Sequence, residues 1–419
     1  MDIYYYDSNT LKKQSIHTIV DTRFFQNLTS LGAGSSTFII SVDQGISDVI
    51  LGAKLPAQGV NDVNYAGLAL PRGWLYSLIN RISVRYAGSS QYFWTGKQML
   101  IENLREMPNP VTKDKLFQLG GAPMTVPGDF AGDNLFAYAY INLPHNSPNG
   151  GMGKPNPLPS ELLGQPIVVT LELNPLPSIF SSRVASPAGD LSGAPVELES
   201  AYFQVKQVHA KDAGELMALP GGRASAYSLP LKAFYQNEVT IQVGQGTGST
   251  TPTEHPLTLT GFRAGEVRSI IMWVTKDSDT NPPTNAPFVK NFTNYILPTN
   301  IEVLYNGTIF YRTKDIGSQM WNLCSSDVPS QLDCTVLSIA GGGGSFVTTG
   351  KVANWVEIPF SQVFEQLSGA HMYVSGKLIQ NAVVNMNITL PSADAHTVHL
   401  MYSYNCALMI ADKTAEYVF

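Results

Sequence analysis

The strongest constraint on this chain is that it is written twice. Residues Ile82 to Met99 read ISVRYAGSSQYFWTGKQM, and residues Ile301 to Met320 read IEVLYNGTIFYRTKDIGSQM. The pattern Ile-x-Val-x-Tyr-x-Gly-Ser/Thr recurs 219 residues on, and Gly-x-Gln-Met recurs 221 residues on. Three more segments return in the same order. GISDVILGA from Gly45 is echoed by GEVRSIIMWV from Gly265, and AYINLP ending at Pro144 by NWVEIP ending at Pro359. IVVTLELNP from Ile167 is echoed by AVVNMNITLP from Ala382. Short strand patterns resemble one another by chance, so the weight lies in collinearity at offsets of 215 to 221. A period of about half of a 419-residue chain means two similar domains, not a solenoid.

Within each copy the period is that of strands. Ile82, Val84 and Tyr86 alternate with polar residues, as a half-buried strand requires, and Gly88 then permits a turn before the aromatic run Tyr92-Phe93-Trp94. Gly88 and its counterpart Gly307 are expected at positive φ. Thr95 and Gln98 have capping-box spacing, and Leu100, Ile101, Leu104 and Met107 follow at helical intervals until Pro108 and Pro110. Each half holds roughly eight strands, too many for one antiparallel sheet. The expected fold class is all-β: two consecutive eight-stranded jelly-roll β-sandwiches with short flanking helices and long loops. The expected division is an N-terminal arm 1–35, a first jelly roll 36–218, a linker 219–227 (around LPGGRAS), a second jelly roll 228–412 and a C-terminal tail 413–419. The arm is expected to pack on a neighbour or on the first roll.

Charge is scarce. Asp, Glu, Lys and Arg make up 14% of the chain, against about 25% in a typical soluble domain. So large a surface must then be neutral polar, glycine, proline and apolar, a composition that favours burial against neighbouring subunits. The net charge is −6, with no run of Lys or Arg, so no direct grip on nucleic acid is expected. The opening MDIYYYDSNTLKK lacks the order of a signal peptide, and Cys324, Cys334 and Cys406 show no metal-ligand spacing. Assembly in a reducing compartment is the expectation.

A search for chemistry returns little. His396 and His399 are the one close histidine pair, and on a strand positions i and i+3 point to opposite faces. No nucleophile elbow or phosphate-binding glycine loop occurs, and Gly341 to Gly344 reads as a loop. Cys406 lies in an apolar strand and is expected to be inert. Tyr92, Phe93 and Trp94 are expected in a core or subunit contact. Tyr417-Val418-Phe419 reads equally as a docking tail or as a strand end. No catalytic, cofactor-binding or metal residue is assigned, and neither an enzyme nor a cofactor is expected.

Two jelly rolls in one chain, with Leu70-Pro-Arg-Gly-Trp74, Ile79 to Gly96 and the closing Tyr404-Asn405-Cys406 through Phe419, resemble a known family. It is the double jelly-roll major capsid proteins of the adenovirus and tailless-phage lineage, including virophages, polinton-like viruses and large nucleocytoplasmic DNA viruses. The resemblance implies a homotrimer that forms a pseudo-hexameric capsomer and tiles an icosahedral capsid. It also implies neighbouring capsomers, a fivefold penton protein and minor or cement proteins as partners, and is compatible with an internal membrane. The location implied is the virion shell, after assembly inside the host cell. The loops 108–133, 145–159, 244–256 and 276–290 would form an outer crown or contacts between tiles. The competing readings are a tandem β-sandwich carbohydrate-binding adhesin or lectin, and a jelly-roll hydrolase.

Overall fold

The computed structural model of the chain describes residues 4–5, 19–40, 45–89, 91–106, 115, 117–141, 143, 163–183, 191–210, 226–235, 238–244, 251–263, 265–280, 288–314, 331–340, 345–360, 377–378, 383–411 and 413–418. The first half contributes β1 (Ile19–Asn27), β2 (Gly34–Ile40), β3 (Gly45–Lys54), β4 (Ile79–Arg85), β5 (Tyr92–Trp94), β6 (Phe136–Ile141), β7 (Ile167–Leu173) and β8 (Ser200–Ala210). They form two antiparallel four-stranded sheets, in the orders β1-β8-β3-β6 and β2-β7-β4-β5. First strand beside last, with the chain alternating between sheets, is jelly-roll topology.

The second half repeats it. Its strands are β9 (Ala226–Tyr235), β10 (Val239–Val243), β11 (Thr253–Leu259), β12 (Glu266–Lys276), β13 (Asn300–Tyr305) and β14 (Thr308–Lys314). A hairpin, β15 (Gln331–Ile339) and β16 (Phe346–Asn354), precedes β17 (Val356–Pro359), β18 (Val384–Leu390), β19 (His396–Ala411) and β20 (Thr414–Val418). The sheets run β9/β10-β19-β12-β17 and β11-β18-β13-β14, matching the first roll place for place. The all-β double jelly roll expected from the repeat is therefore the observed fold.

Alternation explains most of the packing. Ile167, Val169, Leu171 and Leu173 on β7 are buried, as are Val384, Met386, Ile388 and Leu390 on β18, with polar or half-exposed residues between them. Across the first sandwich, Phe38 of β2 stacks on Phe203 of β8 at 4.4 Å. The ladders also refine the repeat. With Ile82 set against Ile301, their partners Leu171 and Ile388 lie 217 residues apart, not the 215 that the matched words give. Val49, Leu51 and Ala53 are buried apolar side chains on one face of β3, and Ile270 and Met272 share a face of β12 with Tyr402, which stacks on Phe262. The offset between these strands is thus odd, and the spacing of 220 would turn the strand inside out.

Strand β12 breaks the alternation. Ser269 through Thr275 are buried without interruption, so both faces of its sheet are covered. One face meets its own sandwich and the other meets the first roll. A single cluster of buried side chains consequently runs from Leu28 to Ala415 through both rolls. The rolls stand side by side with like ends together. At one end Ser182 bridges to Phe288, and Lys290 N–H donates to Ser181 Oγ at 2.9 Å. At the other, Ala415 N–H donates to Ala87 O, Lys413 O accepts from Gly164 N–H at 2.8 Å, and Tyr86 meets Tyr417 edge-on.

Several expectations need correction. The segment 1–35 is not simply an arm: β1 lies inside it as a full strand, and β2 begins at Gly34. Tyr4 and Tyr5 pair in parallel with Tyr227 and Ser228, so this end reaches the second roll, not the first. The expected tail 413–419 contains β20, paired with β19. The loop 145–159 lies outside the described residues, as do 108–114, 116, 245–250 and 281–287 of the other long loops. The linker 219–227 lies outside the described residues except at its last two positions.

The glycine of the repeated Gly-x-Gln-Met has a steric reason. Helix α1 (Trp74–Leu78) packs beside helix α2 (Gly96–Glu106), and a Cβ on Gly96 would lie 1.9 Å from the Tyr76 carbonyl oxygen. In an ordinary helix, Gly→Ala gains about 1 kcal/mol. Here the overlap reverses the sign, so Gly96→Ala should lower the urea unfolding midpoint, whereas a rise would refute the close approach. Gly88 and Gly307 have φ of 74° and 79°, as expected, so valine at either should cost at least about 1–2 kcal/mol by the same measurement.

Candidate functional site

No sequence motif singled out a reactive centre, and the most organised polar cluster among the described residues lies at the seam between the rolls. Its members come from three distant parts of the chain. Thr95 precedes α2, Glu238 sits at the break between β9 and β10, and His399 is on β19, opposite Thr240 and Trp273.

Thr95 does two jobs. Its Oγ1 accepts from Gln98 N–H at 3.2 Å, closing the first turn of α2 as an N-cap, and its hydroxyl donates to Glu238 Oε2 at 2.6 Å. Gln98 directs its amide to Glu102 Oε1 at 2.9 Å and accepts from Glu238 N–H at 3.3 Å. His399 Nδ1–H donates to Glu238 Oε1, and His399 Nε2 accepts from Thr275 Oγ1 at 2.8 Å. The Trp273 indole stacks on the imidazole at 5.3 Å with the rings 1° from parallel. With the Glu238 carboxylate accepting at Nδ1, the neutral imidazole carries its proton there.

The side chains of Glu238 and His399 are only 7% and 5% exposed, so desolvation governs both. Burial holds His399 below its usual value; the Glu238 hydrogen bond and charge oppose this, as does Asp277, while Lys97 adds to it. Burial by itself would raise Glu238, but the hydrogen bonds from His399 and Thr95 and the charges of His399 and Lys97 outweigh it, and its carboxyl stays below the usual range. Burial also lowers Lys97, against the pull of Glu238 and Asp277. At neutral pH the depressed values leave Glu238 a carboxylate and His399 a neutral imidazole. The cluster offers no exposed nucleophile or open acceptor, so it fastens rather than reacts.

The other candidates fall elsewhere. His396 does not join His399: its Nδ1–H donates to Asp394 O at 2.7 Å at the start of β19. Among the described residues, no group of three or more His, Cys, Asp or Glu is placed to hold a metal ion. Burial pushes the Cys406 thiol up to about 12, leaving it a thiol at neutral pH. Gly341 to Gly344, Cys324 and the Gly317-Ser318-Gln319-Met320 corner lie outside the described residues, as does the Cys334 side chain. Tyr92 and Trp94 are core residues with rings 4.8 Å apart, while Phe93 lies under the Arg81 guanidinium. Tyr417 packs on Tyr86 within β20, so that segment is a strand end. No helix among the described residues is long and apolar enough to cross a membrane, which says nothing of strands. Sequence reasoning missed the seam because Glu238 and His399 are 161 residues apart; the lone acid in YQNEV beside a strand break was the only visible trace.

Acid should loosen the seam. A histidine whose folded pKa is depressed loses its stability contribution as pH falls below the unfolded value of 6.5, and a depressed glutamate does so below 4.5. Both act in the same direction. The melting temperature should therefore drop as pH falls from 7 toward 4, and His399→Gln should flatten the upper part of that drop; an unchanged profile would refute the assignment. Thr95→Ala, which loses a cap and a hydrogen bond to a charged group, should cost about 1–3 kcal/mol in chemical unfolding.

No protein-family model and no curated protein matches the chain. Solved structures do. The crystal structure of PBCV-1 VP54, fitted into a cryo-EM reconstruction of the virophage Sputnik, superposes with a TM-score of 0.64 at 11% identity, covering 96% of this chain and 97% of that one. A quasi-atomic model of the PBCV-1 virus capsid gives 0.60 at 11% identity with the same coverage. The cryo-EM structure of the Sputnik virophage gives 0.55 at 11% identity over 96% of this chain and 88% of that one. The likeness spans both rolls and their connections, and it is a likeness of fold.

Proposed function

We propose that this chain is the major capsid protein of a double-stranded DNA virus, a structural and non-catalytic protein of the virion. Three copies form a capsomer whose six jelly rolls make a pseudo-hexagonal tile, and tiles meet edge to edge in an icosahedral shell. The observation that carries this reading is the duplicated topology, with two side-by-side rolls joined through one core. A closed ring of three such blocks presents six similar lobes, which is what an array of hexagonal tiles requires. The fold shared with PBCV-1 and Sputnik capsid structures supports it, as does a surface poor in charge.

The finer partners belong to the same proposal. Flat facets of such tiles leave fivefold corners, so a separate penton protein is required, with minor or cement proteins along the edges. The negative net charge argues against a direct grip on the genome and leaves room for an internal membrane beneath the shell. We further place the two units at 19–210 and 226–418, in preference to 36–218 and 228–412, because β1 and β20 are paired strands.

Native mass spectrometry of the purified protein tests the core of this proposal. The expected species is a trimer of three 45.5 kDa chains. A stable monomer that binds glycans would favour the adhesin reading and overturn the tile.

A further inference from the structure

Acid sensitivity of the whole fold does not by itself say which part moves first, but the arrangement of the seam does. Glu238 is its hub. From the first roll, the Thr95 hydroxyl donates to Glu238 Oε2 at 2.6 Å and Gln98 Oε1 accepts from Glu238 N–H at 3.3 Å. From the second roll, His399 Nδ1–H donates to Glu238 Oε1. The two sides are not held alike. His399 lies on β19, whose backbone is laddered to β10 on one side and to β12 on the other. Thr95 and Gln98 stand at the start of α2, and the bonds that tie this corner to Glu238 are made by their side chains.

A neutral His399 suits this site and a charged one does not. Both ring nitrogens are engaged, Nδ1–H by Glu238 and Nε2 by the Thr275 hydroxyl. A second proton enters at Nε2, where it meets the hydroxyl hydrogen, so that hydroxyl must turn although Thr275 is buried. The Trp273 indole closes one face of the ring, so the cation would be poorly hydrated. The charged groups around it come from three elements: Glu238 between β9 and β10, Lys97 on α2 and Asp277 directly after β12. Burial opposes the cation, Glu238 and Asp277 favour it, and Lys97 again opposes it, with burial prevailing. On the same strand, His396 is turned to Asp394 O, and Lys276 is paired with the Asp394 carboxylate.

We propose that Glu238 and His399 form a proton-operated latch: in mild acid His399 takes up a proton at Nε2, and the Thr95–Gln98 corner lifts off the second roll while both sandwiches stay folded. The corner yields because the strand behind His399 is fixed by main-chain ladders, whereas the corner is tied to Glu238 by side chains. Lifting it also lets water reach the imidazolium and carries away Lys97, the cation that opposes the new charge. The first opening is thus confined to one corner, in contrast to a general loss of stability. The latch belongs to the single chain and does not depend on how many copies assemble. In the proposed shell it would let an acidic compartment loosen each block from within.

Hydrogen–deuterium exchange of the full chain, read by mass spectrometry in steps from pH 7.5 to pH 5 and corrected for the intrinsic pH dependence of exchange, tests the latch. Peptides covering 95–106 and 238–243 should lose protection by at least about tenfold at pH 5, while those covering β7 and β18 keep theirs. His399→Gln retains one donor and one acceptor but takes up no proton, so both seam peptides should stay protected at pH 5. Lys97→Met removes the opposing cation and should move the midpoint of opening to higher pH. Unchanged protection in the wild type would overturn the latch, as would an equal loss in β7 and β18. A pH response that neither variant alters would place the sensing proton elsewhere and overturn it too.

Discussion

The structure depends on one sheet being buried on both sides. In an ordinary sandwich a strand alternates between core and solvent, and the first roll obeys that rule along β6 and β7. In the second roll, β12 and β19 carry apolar or hydrogen-bonded residues on both faces, because the first roll lies against the outer one. Each fully buried large side chain there is worth about 1.5–3 kcal/mol in transfer terms, so Ile271, Trp273 and Met401 amount to a core between rolls. The chain is built as one block with two like halves, not as two beads on a linker.

Polar groups give that apolar contact its register. A hydrophobic seam alone tolerates sliding, whereas Thr95, Glu238, His399 and Thr275 satisfy one another in a single relative position. The fasteners at the two ends, Ser182 with Phe288 and Ala87 with Ala415, fix the angle between the rolls. A fixed angle is what the proposed capsomer would need, since any variation would be multiplied around a ring of copies. The same logic accounts for the poverty of reactive groups: the buried histidine, carboxylate and thiol are all committed to packing.

Much of the fold was legible because strand words survive duplication. The pairs around Ile82 and Ile301 and around Ile167 and Ala382 mark equivalent strands in both rolls. The limits are physical. A bulge beside Ser269 shifts the register of β12, so its match to β3 was misjudged by an odd step that no word comparison detects. Strand β1 reads as IVDTRFFQN, without clean alternation, and was taken into the arm. The strands of the hairpin β15–β16, on either side of the Gly341 to Gly344 loop, were not read from the sequence; their place is set by Asn291, which donates to Leu337 O and accepts from Leu337 N–H, and by Phe346 packing with Ala69. The seam itself was invisible, since its residues carry no signal until the fold brings them together.

Scanning calorimetry tests most directly whether the two rolls are one structural block. The shared core predicts a single unfolding transition, with Gly96→Ala in the first roll and a truncation of Val398 to Ala in the second each moving that same transition. Two transitions, each shifted only by the variant in its own roll, would contradict the shared core and with it the rigidity that the proposed tile requires.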